Sequence, residues 1–186
     1  MTENKTGTAR SMAKTVVTLL LFAAVVAGLL GLVNNITEQR IAEYKADKIQ
    51  MAMKAVLPAR EYSEQYYDGE EDLVSKVFMA GDEGWVISLT PSGFGGLIDM
   101  LVGVDKSGAV TGVSIVSMSE TSGLGANAAR ESFRSQYIGK TGSVKLKKQG
   151  GDIDALTGAT VTSTAVTKGV NAALAAVQDL MKEGGA

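Results

Sequence analysis

An uncharged run of 23 residues, Thr15–Thr37, constrains this chain more than any other part of its sequence. Its apolar part, Val16–Val33, is long enough to cross most of a hydrocarbon core of about 30 Å, because a helix rises about 1.5 Å per residue. Lys14 precedes the run and Glu38 follows it, so a charge marks each end. The sequence therefore predicts a transmembrane helix over 15–37, preceded by a cytoplasmic amino terminus over 1–14.

A cleaved signal peptide is the alternative interpretation of this run. Signal peptides carry a shorter apolar stretch, of about 7–15 residues, followed by a cleavage site of small residues. Here Asn34 and Asn35 follow a longer stretch, so a retained single-pass anchor is favoured. Basic residues flank both ends of the span, and the positive-inside rule does not decide its orientation. The simplest topology keeps the short amino terminus inside and exports residues 38–186 across the cytoplasmic (inner) membrane.

The chain contains no Cys and no His. Thiolate nucleophiles, disulfides, iron–sulfur clusters, His-ligated haem, Cys/His zinc sites and a Ser-His-Asp triad are therefore excluded within it. The sequence predicts neither a catalytic residue nor a metal site. Redox activity would need a bound organic cofactor, because these side chains provide no evident electron carrier.

The charge of the chain argues against a nucleic-acid partner. The formal net charge is −2, and residues 38–186 alone carry 15 basic and 19 acidic side chains. No general basic field is present to hold phosphates. Six acidic residues lie close together: Glu61, Glu64, Asp68, Glu70, Glu71 and Asp72. Their spacing does not match an EF-hand loop, so we interpret them as solvated surface.

Residues 38–186 are predicted to form a stalk helix over 38–58, ended by Pro58, and one small domain over 59–186. The predicted elements of the domain are a strand over Trp85–Thr90, a hairpin over Leu97–Met118 with its turn at Asp105–Gly108, a short strand over Val144–Lys147, and helices over Ala126–Tyr137 and Val161–Lys182. The fold class is therefore α+β, with one N-terminal transmembrane helix followed by a single small extracytoplasmic domain.

The first segment with candidate chemistry directly precedes the carboxy-terminal helix and reads Asp154-Ala-Leu-Thr-Gly-Ala-Thr160. Free backbone N–H groups and the positive end of the helix dipole attract an anion at such a position, so a phosphate would lie at Thr160. A P-loop lysine is absent from the segment, however. On these residues alone, Thr160 or Thr162 as an ordinary N-cap is the favoured interpretation.

The second segment reads Glu120-Thr-Ser-Gly-Leu-Gly125 and leads into the predicted helix that begins near Ala126. Gly123 and Gly125 flank Leu124 and would let a ligand lie against the main chain. Glu120 and Thr121 would supply polar contacts. Gly-rich turns are common, so this segment alone does not identify a ligand.

Taken together, these segments resemble the covalent FMN-binding domain family. The resemblance rests on four motifs in order behind one amino-terminal span: Gly93-Phe-Gly-Gly96, Leu101-Val-Gly-Val-Asp105, Glu120–Gly125 and Asp154–Thr160. It covers nearly the whole chain and is strongest to the G subunits of Rnf ion-translocating ferredoxin:NAD oxidoreductase complexes. It implies an FMN-binding domain and an electron-carrier subunit of a redox-driven ion translocase, without independent catalytic turnover.

The resemblance also implies the residues of the cofactor site. In this family the last Thr of the Asp-x-x-Thr-Gly-Ala-Thr segment is esterified to the FMN phosphate by a flavin transferase that uses FAD, which implies a phosphoester at Thr160. Asp154, Thr157, Gly158 and Ala159 then become positions of transferase recognition and of the phosphate loop.

The family fold would place the second segment against the isoalloxazine or ribityl chain of the flavin, through Glu120, Thr121, Gly123, Leu124 and Gly125. The implied partners are the other membrane, iron–sulfur and flavin subunits of the complex and the flavin transferase. Two residues depart from the family pattern, because Met118 and Ser122 stand where a His and a Pro are usual. Neither departure touches the attachment motif.

Two other functions remain open at the level of the sequence. One is a stand-alone, membrane-anchored extracytoplasmic flavoprotein reductase, against which stands the lack of a substrate domain or second cofactor site in residues 38–186. The other is a non-redox anchored scaffold, in which the Thr-Gly-Ala-Thr segment is only a helix cap.

Overall fold

The structure, a computed structural model, describes residues 5–69 and 71–183 of the chain. Three predictions extend beyond these residues: the first four positions of the predicted cytoplasmic amino terminus, Glu70 of the acidic run, and positions 184–186 of the predicted domain. The chain divides into two compact units, one ending at Asp47 and one beginning at Lys48.

The first unit is formed by most of helix α1, which runs Lys5–Val56. Large apolar side chains are exposed along it, among them Leu20, Phe22 and Leu30 at 64%, 70% and 65% of their full accessible area. Its stretch Met12–Val56 contains a window long and apolar enough to cross a membrane. Since water disfavours such a surface, the helix fits a lipid environment.

The second unit contains an antiparallel sheet in the order β1-β2-β3-β4-β5. The strands are β1 Ser63–Gln65, β2 Val74–Ala80, β3 Gly84–Leu89, β4 Ile98–Asp105 and β5 Val110–Met118. The predicted hairpin is confirmed, with Ile98 opposite Met118. Strands β1 and β2 were not predicted, because β1 is exposed throughout and β2 lacks a regular apolar alternation.

The turn between β4 and β5 forms at the predicted Asp105–Gly108. The Asp105 carboxylate accepts hydrogen bonds from the Ser107 hydroxyl and from the N–H groups of Ser107 and Ala109. These bonds, that from the Ser107 hydroxyl foremost, lower the pKa of Asp105. The carboxylate thus replaces the strand partners that the turn residues lack.

Helix α3, Thr160–Glu183, covers one face of the sheet and confirms the predicted carboxy-terminal helix. Its buried side chains Val166, Val170, Leu174 and Val177 belong to the main core, together with residues of β2 to β5. A Cβ atom at Gly169 would lie 2.8 Å from the Met100 sulfur, so this glycine permits the close approach of helix and sheet.

The last turns of α1 pack on the opposite face of the sheet, where Met53 and Val56 are buried. Thr111 donates a hydrogen bond to the Val56 carbonyl at 2.6 Å. A Cβ atom at Gly103 would lie 2.6 Å from that oxygen, and one at Gly112 would lie 2.9 Å from the Val56 Cα. The two glycines are paired across β4 and β5, and the end of α1 packs directly against them.

The predicted helix over Ala126–Tyr137 is wrong as one continuous element. The chain forms a 3₁₀ turn at Gly125–Ala129, a short helix α2 at Glu131–Arg134 and a second 3₁₀ turn at Ser135–Tyr137. Arg130 is extended and breaks the helix. The guanidinium of Arg134 donates to the carbonyls of Ala129 and Val113, so tertiary contacts replace the helical ladder here.

The core contact of this broken segment is made by Tyr137. Its ring is buried and packs edge-on against Phe133 at a centroid distance of 5.7 Å. Burial raises the pKa of Tyr137 to about 12, while its hydrogen bond with Thr167 acts in the opposite direction. The phenol therefore stays neutral and ties the segment to α3.

The predicted strand over Val144–Lys147 is also wrong as a sheet strand. It forms a single parallel bridge, between Leu146 and Ile153. The N–H and carbonyl of Val144 are bonded instead to the side-chain amide of Asn171, at 2.8 and 2.9 Å. An amide side chain from α3 thus satisfies the backbone groups that a neighbouring strand would have satisfied.

We expect Gly103→Ala to lower the free energy of unfolding by about 1–3 kcal/mol, because its methyl group would push the end of α1 away from the sheet. Urea unfolding of the full-length protein in detergent, followed through its single tryptophan, measures the change. Ser114→Ala on the same pair of strands is the control. Equal stability of the two variants would contradict the close packing of α1 on Gly103.

Candidate functional site

Three segments distant in sequence meet around one cleft of about 400 Å³. They are the Gly-rich loop before β4, the segment after β5, and the start of α3. The lining residues are Phe94, Glu120, Thr121, Leu124, Gly125, Gly158, Ala159, Thr160, Val161 and Thr162. The volume falls within the usual range for small-molecule sites, about 300–1,000 Å³.

The loop that precedes α3 is a tight turn. The N–H of Ala159 donates to the Leu156 carbonyl at 3.0 Å, and Gly158 has a φ of +73°. This backbone conformation favours glycine. A Cβ atom there would also approach Leu124 to 3.1 Å, so the turn lies directly against the second segment.

Buried Ser163 holds this turn onto α3. Its hydroxyl accepts a hydrogen bond from the Leu156 N–H at 2.9 Å and donates one to the Ala159 carbonyl at 2.9 Å. The turn and the first residues of the helix are therefore one connected unit, which fixes where Thr160 lies.

Thr160 is the first residue of α3, and its side chain is exposed in the cleft. No hydrogen bond within the described part of the chain engages its hydroxyl. The first backbone bond of the helix runs from the Ser163 N–H to the Ala159 carbonyl. The N–H groups of Thr160, Val161 and Thr162 therefore lie before the helical ladder, as at any helix amino terminus.

Thr160 and Thr162, the two N-cap candidates in the sequence, do not cap the helix. Ala159 precedes the first helical residue and has no polar side chain, and Thr162 donates its hydroxyl to Glu120 at 3.0 Å. The end of α3 stays open toward the cleft, where its backbone dipole favours an anion.

Glu120 binds both other segments at once. One carboxylate oxygen accepts the N–H groups of Phe94 and Gly95 at 2.8 and 3.3 Å, and the other accepts the Thr162 hydroxyl. Glu120 is also the only charged side chain among the described residues that line the cleft. The cleft thus contains an open helix end and a carboxylate, and none of its described lining residues is a cation.

The glycines of the second segment serve the protein backbone in different ways. Gly123 has a φ of +77° and open space at its Cβ position, so it is required by the turn. A Cβ atom at Gly125 would collide with the carboxylate of Glu120 and lie 2.7 Å from the Thr162 hydroxyl oxygen. Gly125 therefore leaves room for these two side chains.

Most of the residues predicted for the cofactor site line the cleft: Glu120, Thr121, Leu124, Gly125, Gly158, Ala159 and Thr160. Three do not. Gly123 and Thr157 lie in its two loops, and the Asp154 carboxylate binds Lys147 at 2.7 Å. The Asp154 N–H donates to the Gln136 side chain at 2.7 Å, so this residue anchors the beginning of the loop that precedes α3.

Three lining residues were not predicted as site residues, namely Phe94, Val161 and Thr162. Phe94 and Val161 are large apolar side chains at 74% and 52% exposure. The sequence signal for Phe94 was its position inside the Gly93–Gly96 motif. A large aromatic residue between glycines of a loop is not expected to pack in the core. For Thr162, the sequence shows a hydroxyl next to the Asp154–Thr160 motif but does not show that Glu120 is its hydrogen-bond partner.

Another cleft, with a larger volume of about 460 Å³, lies along α3, away from these segments. Its lining includes Glu71, Lys168 and Asn171 and none of the predicted site residues. The convergence of three motifs therefore distinguishes the smaller cleft as the candidate site.

Two family models match the chain. A model of the FMN-binding domain matches residues 93–175, which include every lining residue of the cleft, and a model of the RnfG N-terminal region matches residues 1–56.

Relatives of similar length match over most of the chain. It is 31% identical over 188 residues to the G subunit of the Na(+)-translocating ferredoxin:NAD(+) oxidoreductase complex of Acetobacterium woodii, covering 88% of this chain and 90% of that protein. It is 33% identical over 190 residues to the G subunit of the ion-translocating oxidoreductase complex of Pseudomonas aeruginosa, covering 90% and 89%. A shorter match, 48% identical over 94 residues, covers 48% of this chain and 51% of the G subunit of the proton-translocating ferredoxin:NAD(+) oxidoreductase complex of Clostridium ljungdahlii.

Ser163→Ala should destabilise the domain by about 1–3 kcal/mol, because it leaves the Leu156 N–H without its partner. Thr164→Ala is the matched control, since the Thr164 hydroxyl makes the same kind of bond to the carbonyl four residues before it. Urea unfolding of both full-length variants gives the comparison. A loss in Ser163→Ala no greater than that of the control would refute its role in holding the turn.

Proposed function

The chain belongs to the G-subunit family of ion-translocating oxidoreductase complexes, and we propose that it relays electrons within such a complex through an FMN bonded covalently to Thr160. It is a membrane-anchored α+β protein with an FMN-binding domain, and its relatives are subunits of oxidoreductase complexes. We also propose the covalent bond, the residues that form the site, and the side of the membrane on which the domain lies.

The observation that carries this proposal is the position of Thr160. Its hydroxyl is exposed at the open amino-terminal end of α3, inside the cleft where the three motifs meet. A phosphate bonded there would lie beside the free N–H groups of the first helical turn. A phosphodiester has a single negative charge, and a covalent bond retains it without a lysine, so the residues present fit the group.

The remaining lining residues fit the organic part of FMN. Phe94, Leu124 and Val161 offer apolar surface to the flavin ring, and the Thr121 side chain offers a hydroxyl. When bound, FMN supplies the electron-accepting chemistry that side chains without Cys or His lack. The chain itself holds the ring, shields it from water on the protein side and orients it through the position of Thr160.

Attachment requires a flavin transferase that uses FAD as the donor. Attachment would join the Thr160 hydroxyl oxygen to the phosphorus of FMN, with loss of the hydroxyl proton, as the P–O–P bond of FAD breaks and AMP leaves. We assign recognition by this enzyme to Asp154 and Thr157, because both are exposed beside the attachment turn without lining the cleft. Gly158 and Ala159 form the turn that presents the hydroxyl.

The partners of the chain are other subunits of the complex, as for its relatives. We propose that these include the membrane, iron–sulfur and flavin subunits that donate and accept its electrons. A non-redox scaffold loses its main support, because the threonines that would have formed a simple helix cap do not cap α3. A stand-alone reductase has no observation of its own in its favour.

Thr160→Val should abolish covalent flavin, because it removes the oxygen that forms the ester, and Thr160→Ser should retain partial attachment. Fluorescence of a denaturing gel and intact-protein mass measure the flavin on full-length protein co-expressed with the transferase. Thr164→Val removes a hydroxyl one turn farther along α3 and is the control that should keep its flavin. An unchanged fluorescent band in Thr160→Val would eliminate Thr160 as the attachment residue.

The proposed topology places the carboxy terminus outside the cytoplasmic membrane. A carboxy-terminal fusion to alkaline phosphatase should therefore be active, because that enzyme folds only after export, and a fusion to green fluorescent protein exported by the same route should be dark. The same reporters joined after Lys14 give the control with the opposite pattern. A fluorescent carboxy-terminal fusion without phosphatase activity would reverse the assigned orientation.

A further inference from the structure

The Glu120 carboxylate is the point at which the three segments of the cleft are joined. Phe94 and Gly95 donate their N–H groups to one of its oxygens, and Thr162 donates its hydroxyl to the other. These partners lie 26, 25 and 42 residues from Glu120 along the chain. No other described side chain of the cleft has hydrogen bonds to both of the other segments.

The charge of Glu120 strengthens this junction. Hydrogen bonds to an ionised carboxylate are stronger than those between neutral groups. Its partner Thr162 lies in the first turn of α3, where the helix dipole favours a negative charge. Both carboxylate oxygens accept hydrogen bonds from the protein, two at Oε1 and one at Oε2, so this group is held in place by three protein donors.

Two glycines make space for the same carboxylate. A Cβ atom at Gly93 would collide with one oxygen of Glu120, and a Cβ atom at Gly125 would collide with the other. Any larger residue at either position would displace Glu120 or the loop that it holds. Gly93, Glu120, Gly125 and Thr162 thus form one structural unit, which we call the carboxylate clamp.

We propose that Glu120 is a positioning residue: the carboxylate clamp holds the loop 93–96 against the start of α3 and thereby sets the width of the cleft beside Thr160. Phe94 carries this effect to the cleft, because its backbone N–H is held by Glu120 while its ring lines the opening. This role is distinct from a direct flavin contact by Glu120, and its functional consequence rests on the function proposed above.

Hydrogen exchange on full-length protein produced without the transferase tests the clamp in the absence of flavin. Glu120→Ala should accelerate exchange of the amides in 93–96 by about tenfold to a hundredfold, the change expected for losing hydrogen bonds to a charged group. Glu120→Gln should accelerate exchange less than Glu120→Ala, because an amide oxygen still accepts from Phe94 and Gly95 but has lost the charge that strengthens these bonds. Glu83→Gln, in the distant turn between β2 and β3, is the control for lost charge.

Thr162→Val tests the other end of the clamp and provides a second variant should Glu120→Ala fold poorly. It should also accelerate exchange in 93–96, and the double variant should exchange no faster than Glu120→Ala, because the two residues act through one contact. Unchanged exchange in 93–96 in both single variants would overturn the proposal. Equal acceleration throughout β3 and β4 would overturn it as well, since that result describes general destabilisation.

Flavin loading then separates positioning from direct contact. With the transferase supplied, Glu120→Ala should load FMN at least tenfold more slowly, with Glu120→Gln restoring most of the rate. Slow loading combined with unchanged exchange would make Glu120 a contact of the flavin or the transferase and overturn the clamp. Absence of flavin from the unmodified protein would instead refute the proposed function, while the exchange result would stand.

Discussion

The packing of α3 on the sheet is the constraint on which the cleft depends. Its buried face, centred on Val166 and Val170, lies in the main core, and Gly169 lets the helix approach Met100 closely. Since interiors are close-packed, the helix has little freedom to shift along the sheet. Its first residue, Thr160, therefore has a defined position, and the loops before β4 and after β5 are joined to that end through Glu120.

The electrostatics of the cleft bear on the covalent linkage proposed for the cofactor. The open end of α3 attracts an anion, but the only charge among the described lining residues is the carboxylate of Glu120. A free phosphate monoester would carry up to two negative charges beside that group without a lysine or arginine to offset them. The phosphodiester proposed at Thr160 would carry less charge and would not depend on affinity for its retention.

The regular elements with strong periodicity could be predicted from the sequence. Helix α3 and the hairpin of β4 and β5 were found because their apolar residues recur at helical and strand spacing. The segment 126–137 was predicted as one helix because its large residues repeat one turn apart. It is broken at Arg130 because Arg134 and Tyr137 bond to distant partners, Val113 and Thr167. Local periodicity contains no information about such partners.

The sequence by itself determined the apolar span, the exclusion of Cys and His chemistry, and the motif that ends at Thr160, because each is a property of residue type and local spacing. Only the tertiary structure decided that three motifs share one cleft, that Thr160 and Thr162 do not cap α3, and that Glu120 binds the protein's own donors. The reason is distance along the chain: these contacts join residues 25 to 42 positions apart, and folding alone brings them together.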